Sequence, residues 1–378
     1  GLAAAYGEFL KVTGAAESVA KVLFKIFGVK WAPLGALLIT LLMAMGGVSA
    51  FVIVFAVYPV AAPLFRKANI TKNLLPGIVL CASVTLCLCL PGNPTSTNAL
   101  LARPEYGLGV DAFSAPVMGV IACIVGTVLA GIYVTWQARR QTALGVGYVV
   151  SGTDALDDDE EKNLPPFWAS IIPLLIVVFV MILLKNVMSA TNSILTSLCI
   201  AIVACVVLNP KVFFGAHKKH GVLKTFTTGM WSSCTSALLL TGGVMGFAGV
   251  VQAAPGFQYF VDFANGLTTA FNPYVSASVA VNVVAGITGT ALGGLQIFAD
   301  TMLPNYINLG INPEAFHRLM TIACCGLDTL PHCSTFILMC SVCGVTAKDS
   351  YKHVFPLTVV MPILLTVLCI LMISVGII

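Results

Sequence analysis

Two polar clusters interrupt otherwise apolar sequence, and their residue types could do chemistry. One is Leu90-Pro91-Gly92-Asn93-Pro94-Thr95-Ser96-Thr97-Asn98, rich in hydroxyls and amides. The other, Asp328-Thr329-Leu330-Pro331-His332-Cys333-Ser334-Thr335, adds a carboxylate and an imidazole. An aspartate at membrane depth costs roughly 2.5–3.5 kcal/mol on insertion scales, so its presence needs a reason. Asp328 is a candidate to carry a coupling ion, with His332 as its relay or as a hydrogen-bond donor. The competing reading makes Asp328 a cap for the short helix after Pro331 and satisfies His332 with a carbonyl. Asn93, Thr95, Ser96 and Asn98 offer partners to a hydroxylated ligand. Gly46, Gly47, Ser49, Thr288, Thr290, Ser334 and Thr335 complete the candidate set.

What must position these groups is a membrane fold. Of the 378 residues, 58% are hydrophobic and only 9% charged, against roughly 25% charged in soluble domains. The net charge of +4 is therefore no sign of nucleic acid. Most of the thirteen cysteines lie inside apolar runs, among them Cys81, Cys87, Cys89, Cys199, Cys205 and Cys369, where cysteine packs as a small hydrophobe. Cys340-Ser-Val-Cys343 and Cys324-Cys325 lack a second pair to complete a tetrahedral metal site. No metal and no cofactor is expected.

The clusters belong to a pattern stated twice. Each copy has a small-residue stretch (Tyr6–Ala16, Phe247–Phe257) and then a span broken by glycines. The breaks are Gly46-Gly47-Val48-Ser49 and Gly289-Thr290-Ala291-Leu292-Gly293-Gly294. A second span follows in each, broken at the polar cluster. Glycine- and proline-interrupted hydrophobic segments at matching positions in two halves mark the midplane site of a secondary transporter. The expected fold is all-α and polytopic, an inverted-repeat, elevator-type transporter with re-entrant hairpins and broken helices. Its units are 1–136, a cytoplasmic acidic linker 137–166, and 167–378. Spans are expected at 34–65, 74–98, 114–136, 167–185, 192–208, 273–303, 314–346 and 355–378. The runs 34–65, 74–98, 273–303 and 314–346 should be broken crossings. Residues 225–256 read as a re-entrant hairpin, and 2–14 as the second arm of its partner. Residues 15–27 and 258–270 read as interfacial amphipathic helices. Because Tyr6 already stands at the point homologous to Phe247, the chain reads as truncated at its N-terminus.

Threading these spans collects Arg66, Lys67, Lys72, Arg139, Arg140, Lys211, Lys218, Lys219, Lys224, Lys348 and Lys352 on one side, which the positive-inside rule makes cytoplasmic. Lys11, Lys21, Lys25 and Lys30 fall on the other side and conflict with the rule unless they snorkel. The hairpin 225–256 then enters from the basic side and its partner from outside. No arginine is expected at mid-depth. Asp300, His317-Arg318, Arg103, Glu105 and Asp111 are placed at span ends. A bound carboxylate would instead use the N–H groups of half-helix N-termini.

Gly326-Leu-Asp-Thr-Leu-Pro-His332 and Thr346-Ala-Lys-Asp-Ser-Tyr351 resemble the gluconate:proton symporter family, in particular its D-beta-hydroxybutyrate permease-like branch. Gly14–Ala20, Gly47–Pro59 and Leu90-Pro-Gly-Asn-Pro94 resemble it too. The chain departs from the family in having Cys333-Ser334 after the histidine, where Asn-Gly is expected. The resemblance implies symport of a small hydroxy or sugar acid, such as gluconate or 3-hydroxybutyrate, across the cytoplasmic membrane. It also implies proton coupling, an elevator motion and a homodimer. Sodium coupling would suit the exposed carbonyls and side-chain oxygens equally well. An integral-membrane enzyme is disfavoured by the lack of HExxH, GxSxG or phosphate-loop motifs. A channel would need a filter motif or charged rings.

Overall fold

The computed structural model describes residues 2–151, 164–184, 187–188, 190–214, 221–231 and 271–378, with isolated positions between 232 and 270. Among them there is no strand. The elements that matter here are α1 (Leu2–Thr13), α2 (Ala15–Phe27), α3 (Ala32–Met45), α4 (Ala50–Lys67), α5 (Lys72–Cys89), α6 (Ser96–Leu100) and α7 (Pro116–Ala143). They continue with α8 (Phe167–Leu184), α9 (Ala190–Leu208), α10 (Pro273–Thr288), α11 (Ala291–Thr301), α12 (Pro313–Ala323), α13 (Ser334–Cys343) and α14 (Ala347–Ser374). The expected hairpin at 225–256 and helix at 258–270 lie largely outside the described residues.

Among the described residues four helices, α5, α7, α8 and α14, are long and apolar enough to cross a bilayer. At 1.5 Å per residue, the 28-residue α7 and α14 each reach about 42 Å, the thickness of a bilayer with its headgroups. Their outer faces are greasy: α7 exposes Val120, Ile124, Val128 and Ile132, and α14 exposes Ile363, Leu364, Val367 and Leu371. Such a stripe at helical spacing suits lipid. Helix α5 is the reverse, with 89% of its window buried, and forms the centre of the packing. Both α5 and α14 carry a π turn, at Cys81–Leu86 and Pro356–Val360, an irregularity that tends to accompany functional sites.

Two of the four runs expected to be broken crossings, 34–65 and 273–303, are helical hairpins instead. Helices α10 and α11 fold back on each other at Gly289-Thr290. They approach so closely that a Cβ on Gly294 would collide with the backbone of Ala285. Tyr274 at the start of α10 and Phe298 near the end of α11 both lie against Phe316, with ring centroids 6.3 Å apart in each case. Helices α3 and α4 pair in the same way. Pro33 in the first turn of one arm and Ala68 just after the other line a single cleft beside α7. The reason is length: the 14 residues of α3 span about 21 Å, short of the roughly 30 Å hydrocarbon core. In sequence, a glycine break within one crossing and a glycine turn between two arms look alike.

This correction removes the charge conflict. Lys30 and Arg139 line that same cleft, and the Ser18 hydroxyl donates to the Pro165 carbonyl over 2.8 Å. The start of α2, Lys30, the end of α4 and the end of α7 therefore share one basic end of the molecule. The α3–α4 hairpin enters from the basic end, and α10–α11 from the other. Helix α2 meets the helical segment Val29–Met45 at a bend of 107°, as an interfacial helix turning into a hairpin arm would. Helix α7 runs seven residues beyond the expected end at 136, so the first part of the acidic linker is helical.

Candidate functional site

Each hairpin tip is seated against the break of the span that follows it. In the first half the tip is Gly46–Ser49 and the break is Leu90–Thr95. A Cβ on Gly47 would lie 3.6 Å from Pro94, and 3.1 Å from Leu198 of α9. Leu174 of α8 fills the space beside Gly46. The break is held by its own amides. Asn93 is fully buried, donates to the Leu90 carbonyl at 2.7 Å, and accepts from the Thr95 hydroxyl. Asn98, also fully buried, donates to the carbonyls of Asn93 and Ala112. Thr95 caps α6 by accepting the Asn98 N–H. Gly92, at φ 67°, donates its N–H to the Ala112 carbonyl and lies flat on the Phe113 ring. Of the candidates here, Ser96 is exposed and Ser49 and Thr95 are half-buried, while Gly46 and Gly47 are buried.

Arg318, expected at a span end, is fully buried in this break. Its guanidinium donates to the carbonyls of Leu88, Leu90, Ala112 and Ser114 and to Oδ1 of Asn98, at 3.0–3.3 Å. Helix α5 ends here, and its last carbonyls have no helical partner; a cation at a helix C-terminus also meets the negative end of the dipole. These groups explain why an arginine lies inside. His317 joins it, with Nε2 2.8 Å from the Asn98 carbonyl. A carbonyl only accepts, so Nε2 carries the proton. Sequence reasoning missed this because it judged depth by distance from the span's start. The available signal was a His-Arg pair in a run, Ala315–Ala323, whose other residues are apolar apart from Thr321.

In the second half the tip is Gly289-Thr290 and the break runs from Cys324 to Cys333. Asp328 is 6% exposed. Its carboxylate accepts from the Thr329 hydroxyl at 2.7 Å and lies within reach of the main-chain N–H groups of Ala291 and Thr329. It thus lies across the tip beside the start of α11, and makes no hydrogen bond to the helix after Pro331 among the described residues. The His332 ring packs on Gly289, where a Cβ would come within 2.9 Å of it; the residue itself is exposed. Thr288 turns its hydroxyl to the carbonyls of Val284, Ala285 and Thr290. Ser334 is exposed and Thr335 and Thr290 are half-buried. Asn282 of α10 was overlooked in the sequence. Its Nδ2 donates to the Ser278 carbonyl. Its Oδ1 is buried against Gly326 and accepts no hydrogen bond among the described residues.

The two halves interlock. Helix α6 of the first break packs against α11, and α13 packs against α4, where the Tyr58 hydroxyl donates to the Cys343 carbonyl. At the less basic end, Tyr106 donates to Asp300 at 2.8 Å and accepts from Gln296 at 2.7 Å. Burial, and then the Asp300 carboxylate, push the Tyr106 hydroxyl above its usual pKa, so it stays a donor at neutral pH. Neither Ser49 at α4 nor Cys333 at α13 makes a side-chain cap hydrogen bond. Two half-helix N-termini therefore keep N–H groups that an anion can use.

A family model described as GntP family permease matches residues 1–376. The chain is 28% identical to an uncharacterized transporter, YxjC, of Bacillus subtilis (strain 168), over 95% of this chain and 82% of the relative. Among solved structures it resembles the Alcanivorax borkumensis YdaH transporter, described as having an unusual topology. That likeness has a TM-score of 0.62 at 16% identity, covering 100% of this chain and 85% of that one, and concerns the fold alone.

Proposed function

The chain belongs to the GntP family of permeases, and from that premise we propose that it is a proton-coupled symporter of a small hydroxy or sugar carboxylate, gluconate- or 3-hydroxybutyrate-like. The observation that carries this reading is Asp328, a carboxylate buried where the second tip meets the second break. Loaded with a proton it is neutral; emptied, its charge rests on the N-terminus of α11. With α11 so occupied, the substrate carboxylate is left the N-termini of α4 and α13, beside Ser49, Ser334 and Thr335. Thr290, His332, Ser96 and Thr95 are the hydroxyl and imidazole partners nearest these ends. Asn93 and Asn98 shape the first break from inside, with Gly46 and Gly47 at its tip.

In this reading 1–136 and 167–378 are inverted repeats joined by 137–166. Hairpins that enter from opposite ends, each followed by a broken span and a 28-residue helix, support it. The hairpins and broken spans form the moving part; α7, α8, α9 and α14 form the scaffold of a homodimer. The basic end is cytoplasmic by the positive-inside rule. Asn282 supports a second reading, sodium coupling, because its buried Oδ1 is an unused oxygen ligand beside the second break.

Uptake of labelled gluconate and 3-hydroxybutyrate into proteoliposomes, under an imposed proton or sodium gradient, tests both. Accumulation driven by inward proton flow supports the proposal. Accumulation with sodium alone transfers the coupling role to a cation held near Asn282. No accumulation of either acid under either gradient overturns the substrate class.

A further inference from the structure

Arg318 is the largest fully buried side chain in the described residues. A permease for anions invites the idea that such a cation binds the substrate. Its geometry excludes this. A guanidinium has five N–H donors, and here Nε, Nη1 and Nη2 all donate to protein oxygens: four carbonyls and the Asn98 amide oxygen. No donor is left for a ligand. Room for the side chain is made by Gly119 of α7, where a Cβ would stand 3.3 Å from Cδ and Nε of Arg318 and collide with the Cys89 carbonyl.

The oxygens it gathers come from three stretches of the first half: the end of α5 at Leu88 and Leu90, the loop at Ala112 and Ser114, and α6 at Asn98. Arg318 itself stands in the second half. Its neighbour His317 takes the remaining oxygen of Asn98, the main-chain carbonyl. Two consecutive residues of α12 therefore hold both oxygens of one asparagine in the opposite break. We propose that Arg318, with His317, is a positioning clamp: the second half of the chain fixes the shape of the first half's break through Asn98, without touching the substrate. The role of that break in binding rests on the function proposed above; the clamp itself does not.

The test uses the full chain in lipid nanodiscs and proteoliposomes, with Arg318→Met, Arg318→Lys and, should both fold poorly, His317→Gln. The last leaves Arg318 in place and alters only the hydrogen bond to the Asn98 carbonyl. Hydrogen–deuterium exchange should rise in peptides covering 86–100 and 110–116 and stay unchanged in α10–α11. Lysine keeps the charge but only three donors, so it should restore protection in part. For gluconate or 3-hydroxybutyrate uptake, KM should rise roughly tenfold in the methionine variant, the equivalent of about 1.4 kcal/mol, with Vmax changed far less. Exchange that is unchanged at 86–100, or raised equally throughout the molecule, overturns the clamp. If the unaltered protein takes up neither acid, the proposed function fails, and the exchange pattern still decides the clamp.

Discussion

The two broken regions are built from similar sequence material and solve different problems. At the first, the amide side chains of the loop point at the loop itself. Asn93 and Asn98 tie its carbonyls, Arg318 closes the end of α5, and Leu174, Val177 and Leu198 cover the glycines of the tip. At the second, one carboxylate is buried, one imidazole lies exposed on a glycine, and one amide oxygen has no partner among the described residues. The first region is tied by neutral amides and a cation that cannot lose its charge under physiological conditions, and its one buried polar atom without a partner among the described residues is Nδ1 of His317. The second holds a group that can gain or lose charge. Fixed shape and variable charge are thus divided between the halves, a division that the proposed coupling would use.

The largest effect should follow from neutralising the variable charge. Asp328→Asn should abolish gradient-driven accumulation while leaving counterflow exchange of preloaded substrate. Unchanged concentrative uptake would remove Asp328 from coupling and dissolve the contrast between the regions. Next comes a pair of glycine substitutions, read by thermal unfolding. Gly92→Ala forces a side chain into φ 67° and into the Phe113 ring, with an expected loss of about 3 kcal/mol from strain and overpacking together. Gly289→Ala meets a similar φ, 64°, but only the exposed His332 ring, which can swing away; about 1 kcal/mol is expected. Equal losses would show that the second break is as tightly fixed as the first.

His332→Gln should raise the KM for the transported acid several-fold and change stability by less than about 0.5 kcal/mol, as surface substitutions do. A large fall in melting temperature would make His332 a structural residue. The smallest effect on transport is expected where the halves touch at the less basic end. Tyr106→Phe deletes one hydrogen bond to Asp300 and one from Gln296, a net loss of about 1 kcal/mol, without change in KM.

Much of this architecture was legible in the sequence. Helix type and some of the span positions follow from composition and run length, because apolar runs in lipid must satisfy their backbone as helices. The breaks at Gly46, Pro91, Gly289 and Pro331 announced themselves, since glycine and proline there leave peptide groups unpaired. Asp328 and His332 stood out as ionisable groups in apolar surroundings. Whether a break is a turn or an interruption was not legible: Gly46–Ser49 and Gly289-Thr290 reverse the chain, whereas Leu90–Thr95 leads it onward. That difference depends on contacts such as Gly294 on Ala285, between residues whose closeness exists only once the arms have folded together.

Arg318 shows the same limit from the side of charge. Sequence gives its type and its place on α12, but the oxygens that make its burial tolerable lie more than two hundred residues away along the chain. Residue type and spacing decide what each segment can do alone: span, break, titrate. Only the tertiary structure decides which orphaned carbonyl meets which donor, because a hydrogen bond acts over about 3 Å and carries no mark of its partner in the sequence.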